Sequence, residues 1–127
     1  MVPAVRAALV SLIMFLPVFW ISCKEAKKVS FSQEVFPLLK KRCLGCHYPG
    51  NEFNESKLAM HTYESLMEGG VHGSPIVPGN SGRSLIIQKL GPKPPFGDQM
   101  PLMSKQKLTE EELGLISKWI DQGATNN

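Results

Sequence analysis

Three cysteines, three histidines and six methionines are the residues of this 127-residue chain best able to hold a metal or carry redox chemistry. Two of the cysteines and one histidine fall together in Cys43-Leu44-Gly45-Cys46-His47. C-x-x-C-H is the attachment signature of c-type haem, and its spacing has a physical reason. Two thiols at this separation near a helix end can reach two vinyl groups on one side of a porphyrin and add across them as thioethers. The next side chain, His47, then offers its imidazole to the iron. Gly45 keeps a side chain away from the place where backbone and macrocycle run close. A redox disulfide, or half of a zinc site, would use the same cysteines. Zinc needs about four ligands. Beyond the motif the chain offers His61 and His72, and adjacent Cys46 and His47 would crowd one ion. A redox disulfide belongs in an alternating strand–helix frame, which this sequence does not show.

Haem iron takes a second axial ligand on its other face. Met100 is the candidate. It follows the stretch Gly91-Pro92-Lys93-Pro94-Pro95-Phe96-Gly97 and precedes Pro101. A proline keeps the residue before it extended, which suits presenting a thioether from a loop. Met103 is the competitor, and His61 and His72 are further alternatives, because two histidines also ligate haem. Met60 and Met67 sit in apolar periodic stretches and read as core gap fillers.

The elements that must position these groups are helices. Ser30 or Ser32 caps a helix through Val35, Leu38 and Leu39, with Ser30 and Gln33 as a capping box. Pro37 delays or kinks its first turn, and the helix is expected to end between Arg42 and Cys46. Residues 48–56 read as turns, and 57–67 carry a short-helix pattern. Ser84 to Leu90 is apolar enough for a helix or a strand, and periodicity does not decide over so few residues. The prolines and glycines of 91–97 exclude regular structure. Thr109 and Glu112 form a second capping box, with Leu113, Ile116, Trp119 and Ile120 on one stripe and Gly123 as the stop.

Apolar residues make up 43% of the chain and charged residues 20%, so it folds. With 11 Gly, 10 Pro and 8% aromatics, its core is thin and calls for a staple such as a disulfide, a metal or a cofactor. A net charge of +3, evenly spread, argues against nucleic acid. The length excludes a large substrate-binding enzyme. Met1 to Arg6 carries one positive charge and 7–22 carries none. That is the basic start and apolar core of an export signal. The run falls short of the ~20 residues of a spanning helix, and Pro17 interrupts it, an uncleaved anchor being the alternative. Trp20-Ile21-Ser22-Cys23 resembles a lipoprotein lipobox, with Trp20 where Leu is usual. That resemblance implies cleavage before Cys23 and lipid upon it. The plainer alternative is an ordinary secretory signal with a spare cysteine. The expected organisation is a signal peptide over 1–22, a polar tether over 23–30 and one domain over 31–125, exported and held at a membrane face. One lipidated cysteine plus one pair used together would account for three cysteines in an oxidising compartment.

Taken together, the chain resembles single-haem class I cytochrome c, in particular its planctomycete-type bacterial subgroup. The resemblance rests on Val35-Phe36-Pro37-Leu38-Leu39, the Cys43–His47 motif, Gly69-Gly70-Val71-His72-Gly73 and Val77-Pro78-Gly79-Asn80. It continues through Met100-Pro101, Leu108-Thr109-Glu110-Glu111-Glu112 and Trp119-Ile120-Asp121-Gln122-Gly123. Leu102 stands where members usually have a second proline. The resemblance implies an all-α class I cytochrome c fold, its first and last helices crossing so that Val35 and Leu39 pack on Ile116 and Trp119. It implies one haem c bound through Cys43 and Cys46, with His47 proximal and Met100 distal. A proline carbonyl, Pro78 first and Pro75 second, is expected to accept from the other ring nitrogen of His47.

Such a site implies electron transfer at a haem edge, without catalysis. Lys89, Lys93, Lys105 and Lys107 surround the Met100 loop and form either a docking patch for an acidic redox partner or a solvated face. Rival readings are a ligand-binding cytochrome sensing gas or peroxide, and a haem subunit of a larger oxidoreductase. A monomer or a complex subunit is the expected state.

Overall fold

Ser30 starts the first helix, and Pro37 decides its shape. In the computed structural model, which describes residues 26–103, 105 and 107–127, the chain enters through a π-helical turn, Phe31–Val35. Helix α1, Phe36–Arg42, continues from it. The widened turn shows in the bonds Val35 N–H to Ser30 O (3.1 Å) and Phe36 N–H to Phe31 O. It delivers Pro37 into the first turn of α1, directly after the widened turn that accommodates a residue without an N–H. The extra residue also changes the cap. Ser30 Oγ accepts from Gln33 N–H (3.2 Å), but the carboxylate that accepts from Ser30 N–H is Glu34 (2.9 Å). Gln33 therefore does not complete the box as its spacing suggested, because a wider turn sets the next residue over the cap.

Helix α2, Tyr63–Glu68, opens on a Thr62–Ser65 capping box. It starts later than the pattern over 57–67 suggests. Lys57 has φ 54°, and Met60 N–H is committed to the His47 carbonyl (2.9 Å), so 57–62 serve the site rather than a helix. A 3-10 turn, Ser81–Arg83, leads into α3, Leu85–Leu90. The undecided segment over 84–90 is thus helical. No strand exists among the described residues to pair with it, and its backbone bonds run along the helix and to the flanking loops, as in Ile86 N–H to Pro75 O (3.0 Å). Ser84, fully buried, organises the preceding loop: its hydroxyl accepts from Val77 N–H (2.9 Å) and donates to the Asn80 carbonyl (2.8 Å).

Helix α4, Glu110–Asp121, carries the expected Thr109–Glu112 box. Ile116, Trp119 and Ile120 on its stripe are fully buried and share one core with Val35, Leu38, Leu39, Leu66 and Ile86. Phe31 lies 5.3 Å from the Trp119 ring and 5.2 Å, edge-on, from Tyr63. The architecture is all-α, as expected. The folded unit is wider than 31–125. Val29 is buried at 6% exposure, and Asn127 Oδ1 accepts from Phe31 N–H (2.8 Å). The tether expected over 23–30 therefore ends sooner, because an apolar side chain and a helix cap both gain by joining the core. The expected signal peptide and Cys23 lie outside the described residues. None of the described helices is long and apolar enough to cross a membrane.

Candidate haem site

The end of α1 creates the site. Lys40, Lys41 and Arg42 occupy its last turn, at the negative pole of the helix. Arg42 reaches α4 and grips Glu112 with Nη2 at 2.8 and 3.0 Å from the two carboxylate oxygens and Nε at 3.2 Å. The chain then tightens. Cys46 N–H (3.1 Å) and His47 N–H (3.0 Å) both reach the Cys43 carbonyl. One turn thereby sets Cys43, Cys46 and His47 on the wall of a single cavity of about 720 Å³. Its lining is mainly apolar, with Met60, Leu85, Ile86, Leu90 and Phe96 among the contributors. The volume falls within the roughly 300–1,000 Å³ of pockets that enclose an organic ligand.

His47 is oriented by backbone. Its Nδ1 lies 3.1 Å from the Leu58 carbonyl, which can only accept, so Nδ1 carries the proton and Nε2 remains free to ligate. Burial holds the imidazole below its ordinary pKa, with the Leu58 carbonyl opposing. A neutral imidazole is the ligating form. This is a correction to the expected Pro78 carbonyl. Pro78 is exposed and absent from the cavity wall, in a turn tied to α4 by Gly79 N–H to Ile120 O (2.8 Å). Pro75 does line the cavity, but its carbonyl accepts from Ile86 N–H (3.0 Å). Buried Asn54 also donates to Leu58 O, at 2.7 Å, so His47 shares its acceptor.

Both cysteines are free. Burial, reinforced by Cys46, pushes the Cys43 thiol up to about 11, with Arg42 opposing. A thiol held protonated is a poor exchange nucleophile, so Cys43 itself is not poised for thiol exchange. Among the described residues no three His, Cys, Asp or Glu side chains gather to hold a metal ion. An added Cβ at Gly45 would meet no protein atom within 4 Å, so the protein alone does not require glycine there.

Met100 and Met103 both line the cavity. Met100 is half-buried, with its N–H on the Lys89 carbonyl (2.8 Å), whereas Met103 is 66% exposed. His72 reaches the cavity rim, its ring 4.3 Å from Phe96. His61 does not: it sits beside Tyr48 and Ser65. Met60 is core, as expected, and cavity wall as well. Gly69 and Gly70 have a steric purpose. A Cβ on Gly69 would strike the Gly73 carbonyl, and one on Gly70 would strike the Ser56 carbonyl. Of the four loop lysines, Lys93 and Lys105 are exposed, and Lys107 is exposed with Nζ 2.9 Å from Gln99 Oε1. Lys89 is half-buried, with Nζ 2.6 Å from the Phe96 carbonyl.

Residues 43–101, from the first cysteine of the motif through Met100 to Pro101, match the family model of planctomycete cytochrome c. The chain carries a planctomycete-type cytochrome c domain. A cytochrome c domain of this type implies covalently bound haem c. The cavity fits that cofactor, with two free thiols, a neutral imidazole and an apolar wall in one place. No curated protein matches the sequence. Among solved structures, the cytochrome domain is similar to a chain titled hydrazine synthase from Kuenenia stuttgartiensis, with 23% identity and a TM-score of 0.52. The alignment covers 80% of this chain and 17% of that one. At that identity the likeness is one of fold.

Proposed function

We propose that this cytochrome is a single-electron carrier with one haem c, linked through Cys43 and Cys46 and ligated by His47 and Met100. The observation that carries the proposal is the convergence of those four side chains on one apolar cavity, with His47 held so that Nε2 is its free nitrogen. Haem c supplies reversible one-electron exchange at its iron. The chain's own residues do the rest. Leu58 O fixes the imidazole, the apolar wall excludes water, and the loop after α3 supplies the thioether. Were His47 and Met100 both to ligate the iron, no coordination place would be left for a substrate, and the role would be transfer rather than catalysis. The packing of the first helical segment on α4, through Phe31 on Trp119 and Arg42 on Glu112, supports a class I arrangement.

Export by residues 1–22, lipid on Cys23 and docking of an acidic redox partner belong to the same reading. Lys93 and Lys105 are exposed beside the Met100 loop and could serve such docking. A fold of this kind occupying 17% of a much longer chain favours one second reading, a haem domain serving a larger oxidoreductase. The deciding test is spectroscopic, on protein matured with haem. Sharp low-spin bands on reduction, with a weak far-red ferric iron–Met band lost in Met100→Ala and kept in Met103→Ala, are the expected result. A high-spin spectrum that shifts with carbon monoxide would indicate ligand binding instead. A colourless product beside a working maturation control would refute the cytochrome reading. Co-purification with a dehydrogenase or oxidase would favour the subunit reading.

A further inference from the structure

Lys89 reads in the sequence as one of four docking lysines, yet its ammonium is tied to carbonyls of the protein's own loop. It sits in the last turn of α3, a helix anchored by buried Ser84 and Ile86. Its Nζ donates to the Phe96 carbonyl at 2.6 Å and the Asp98 carbonyl at 2.7 Å, and lies 4.6 Å over the Phe96 ring. Its own carbonyl accepts from Met100 N–H at 2.8 Å. One residue therefore holds the loop at three points, the last being the candidate ligand itself.

The loop needs such a clamp. Pro92, Pro94 and Pro95 have no N–H to give, and no helix or strand forms between Gly91 and Met100. Its carbonyls must find donors from elsewhere, and a compact ammonium with three donors suits two carbonyls that converge. Gln99 adds one further tie, Nε2 to Leu90 O at 2.7 Å.

We propose that Lys89 is a positioning residue that fixes the Met100 loop on α3 and so sets how firmly the Met100 thioether stays on the haem iron. This rests on the reading of Met100 as axial ligand. A loop held at three points loses little freedom when its methionine binds, whereas an unclamped loop must be ordered at that moment.

The test titrates ferric holoprotein with imidazole and follows the far-red iron–Met band. In Lys89→Met, which keeps the apolar stem and removes the donors, half-displacement is expected at five-fold or more lower imidazole than in wild type. Lys118→Met, an equal loss of charge on exposed α4 surface, is expected to leave the midpoint unchanged. A Lys89→Met midpoint within five-fold of wild type overturns the inference, and so does an equal fall in Lys118→Met. Should Lys89→Met fail to fold, wild-type holoprotein gives a second measurement. Acetylation followed by mass spectrometry is expected to modify Lys89 at least ten-fold more slowly than Lys93 or Lys118, and equal rates overturn the clamp. A wild-type protein lacking the far-red band, or keeping it in Met100→Ala, removes the ligand reading and this inference together. A normal band with an unshifted Lys89→Met removes the inference alone.

Discussion

Replacing Glu112 separates two functions of one carboxylate. Its oxygens accept from Thr109 N–H (2.9 Å), closing the capping box of α4, and from the Arg42 guanidinium at 2.8 and 3.0 Å. Both side chains are largely covered, at 17% and 21% exposure, so the pair is neither a loose surface contact nor fully desolvated. A hydrogen bond to a charged group contributes about 1.5–3 kcal/mol and a neutral one about 0.5–1.5. Glu112→Gln keeps an acceptor for the cap but removes the charge, so a loss of about 1–2 kcal/mol is expected. Glu112→Ala also opens the cap, at about 1 kcal/mol more. In a domain of this size 1 kcal/mol moves Tm by roughly 4–8 °C. The pH dependence follows from the same contacts. The Arg42 hydrogen bonds, then the Thr109 N–H, hold the Glu112 carboxyl below its ordinary 4.5. A lowered folded-state pKa means that the stabilisation is complete above 4.5 and fades as pH falls through the folded value. Thermal melts of holoprotein by far-UV circular dichroism should therefore show a full wild-type-to-Gln gap at about pH 7 and a shrunken one at about pH 3. No gap at neutral pH, or one equally large in acid, would refute the reasoning.

Other outcomes follow from the same structure. Gly70→Ala forces a Cβ against the Ser56 carbonyl and within 2.7 Å of Leu58 N, beside the carbonyl that orients His47. A loss of about 2 kcal/mol or more and reduced haem incorporation are expected, read by denaturant titration and by the haem-to-protein absorbance ratio. Asn54→Leu leaves Leu58 O to His47 alone, which strengthens that bond and makes the imidazole a better electron donor. The reduction potential should fall by up to about 40 mV, since one hydrogen bond is worth about 1 kcal/mol and tenfold is 59 mV; a rise on potentiometric titration would contradict the shared acceptor. Ile116→Ala empties a fully buried position and should cost about 2–5 kcal/mol in chemical denaturation, with a loss under about 1 kcal/mol incompatible with its burial.

The sequence was a good guide wherever the information is local. Thr109 and Glu112 announce the start of α4 because a capping box joins residues three apart on one chain segment. The motif Cys43–His47 is equally local, and a single turn suffices to bring its three side chains to one wall. The failures have the opposite character. The choice of Leu58 over Pro78 depends on a backbone carbonyl, and every residue has one, so residue type carries no signal. The capping partner of Ser30 moved from Gln33 to Glu34 because a π-helical turn, set next to Pro37, changed the register. Lys89 looked like its exposed neighbours because a lysine at a helix end is usually solvated. Only the carbonyls of Phe96 and Asp98 closing over it show otherwise.

By itself, then, the sequence determined the helices that open and close the domain, the thiol–thiol–imidazole constellation and the short list of axial candidates. These follow from residue chemistry at fixed spacing, which folding cannot alter. The tertiary structure decided which distant groups serve that constellation. It brought Leu58 and Asn54 to His47, Lys89 to the Met100 loop, and Glu112 to Arg42. Those pairings span loops whose closure depends on the whole core, and an isolated stretch of residues does not encode where its carbonyls and carboxylates will come to rest.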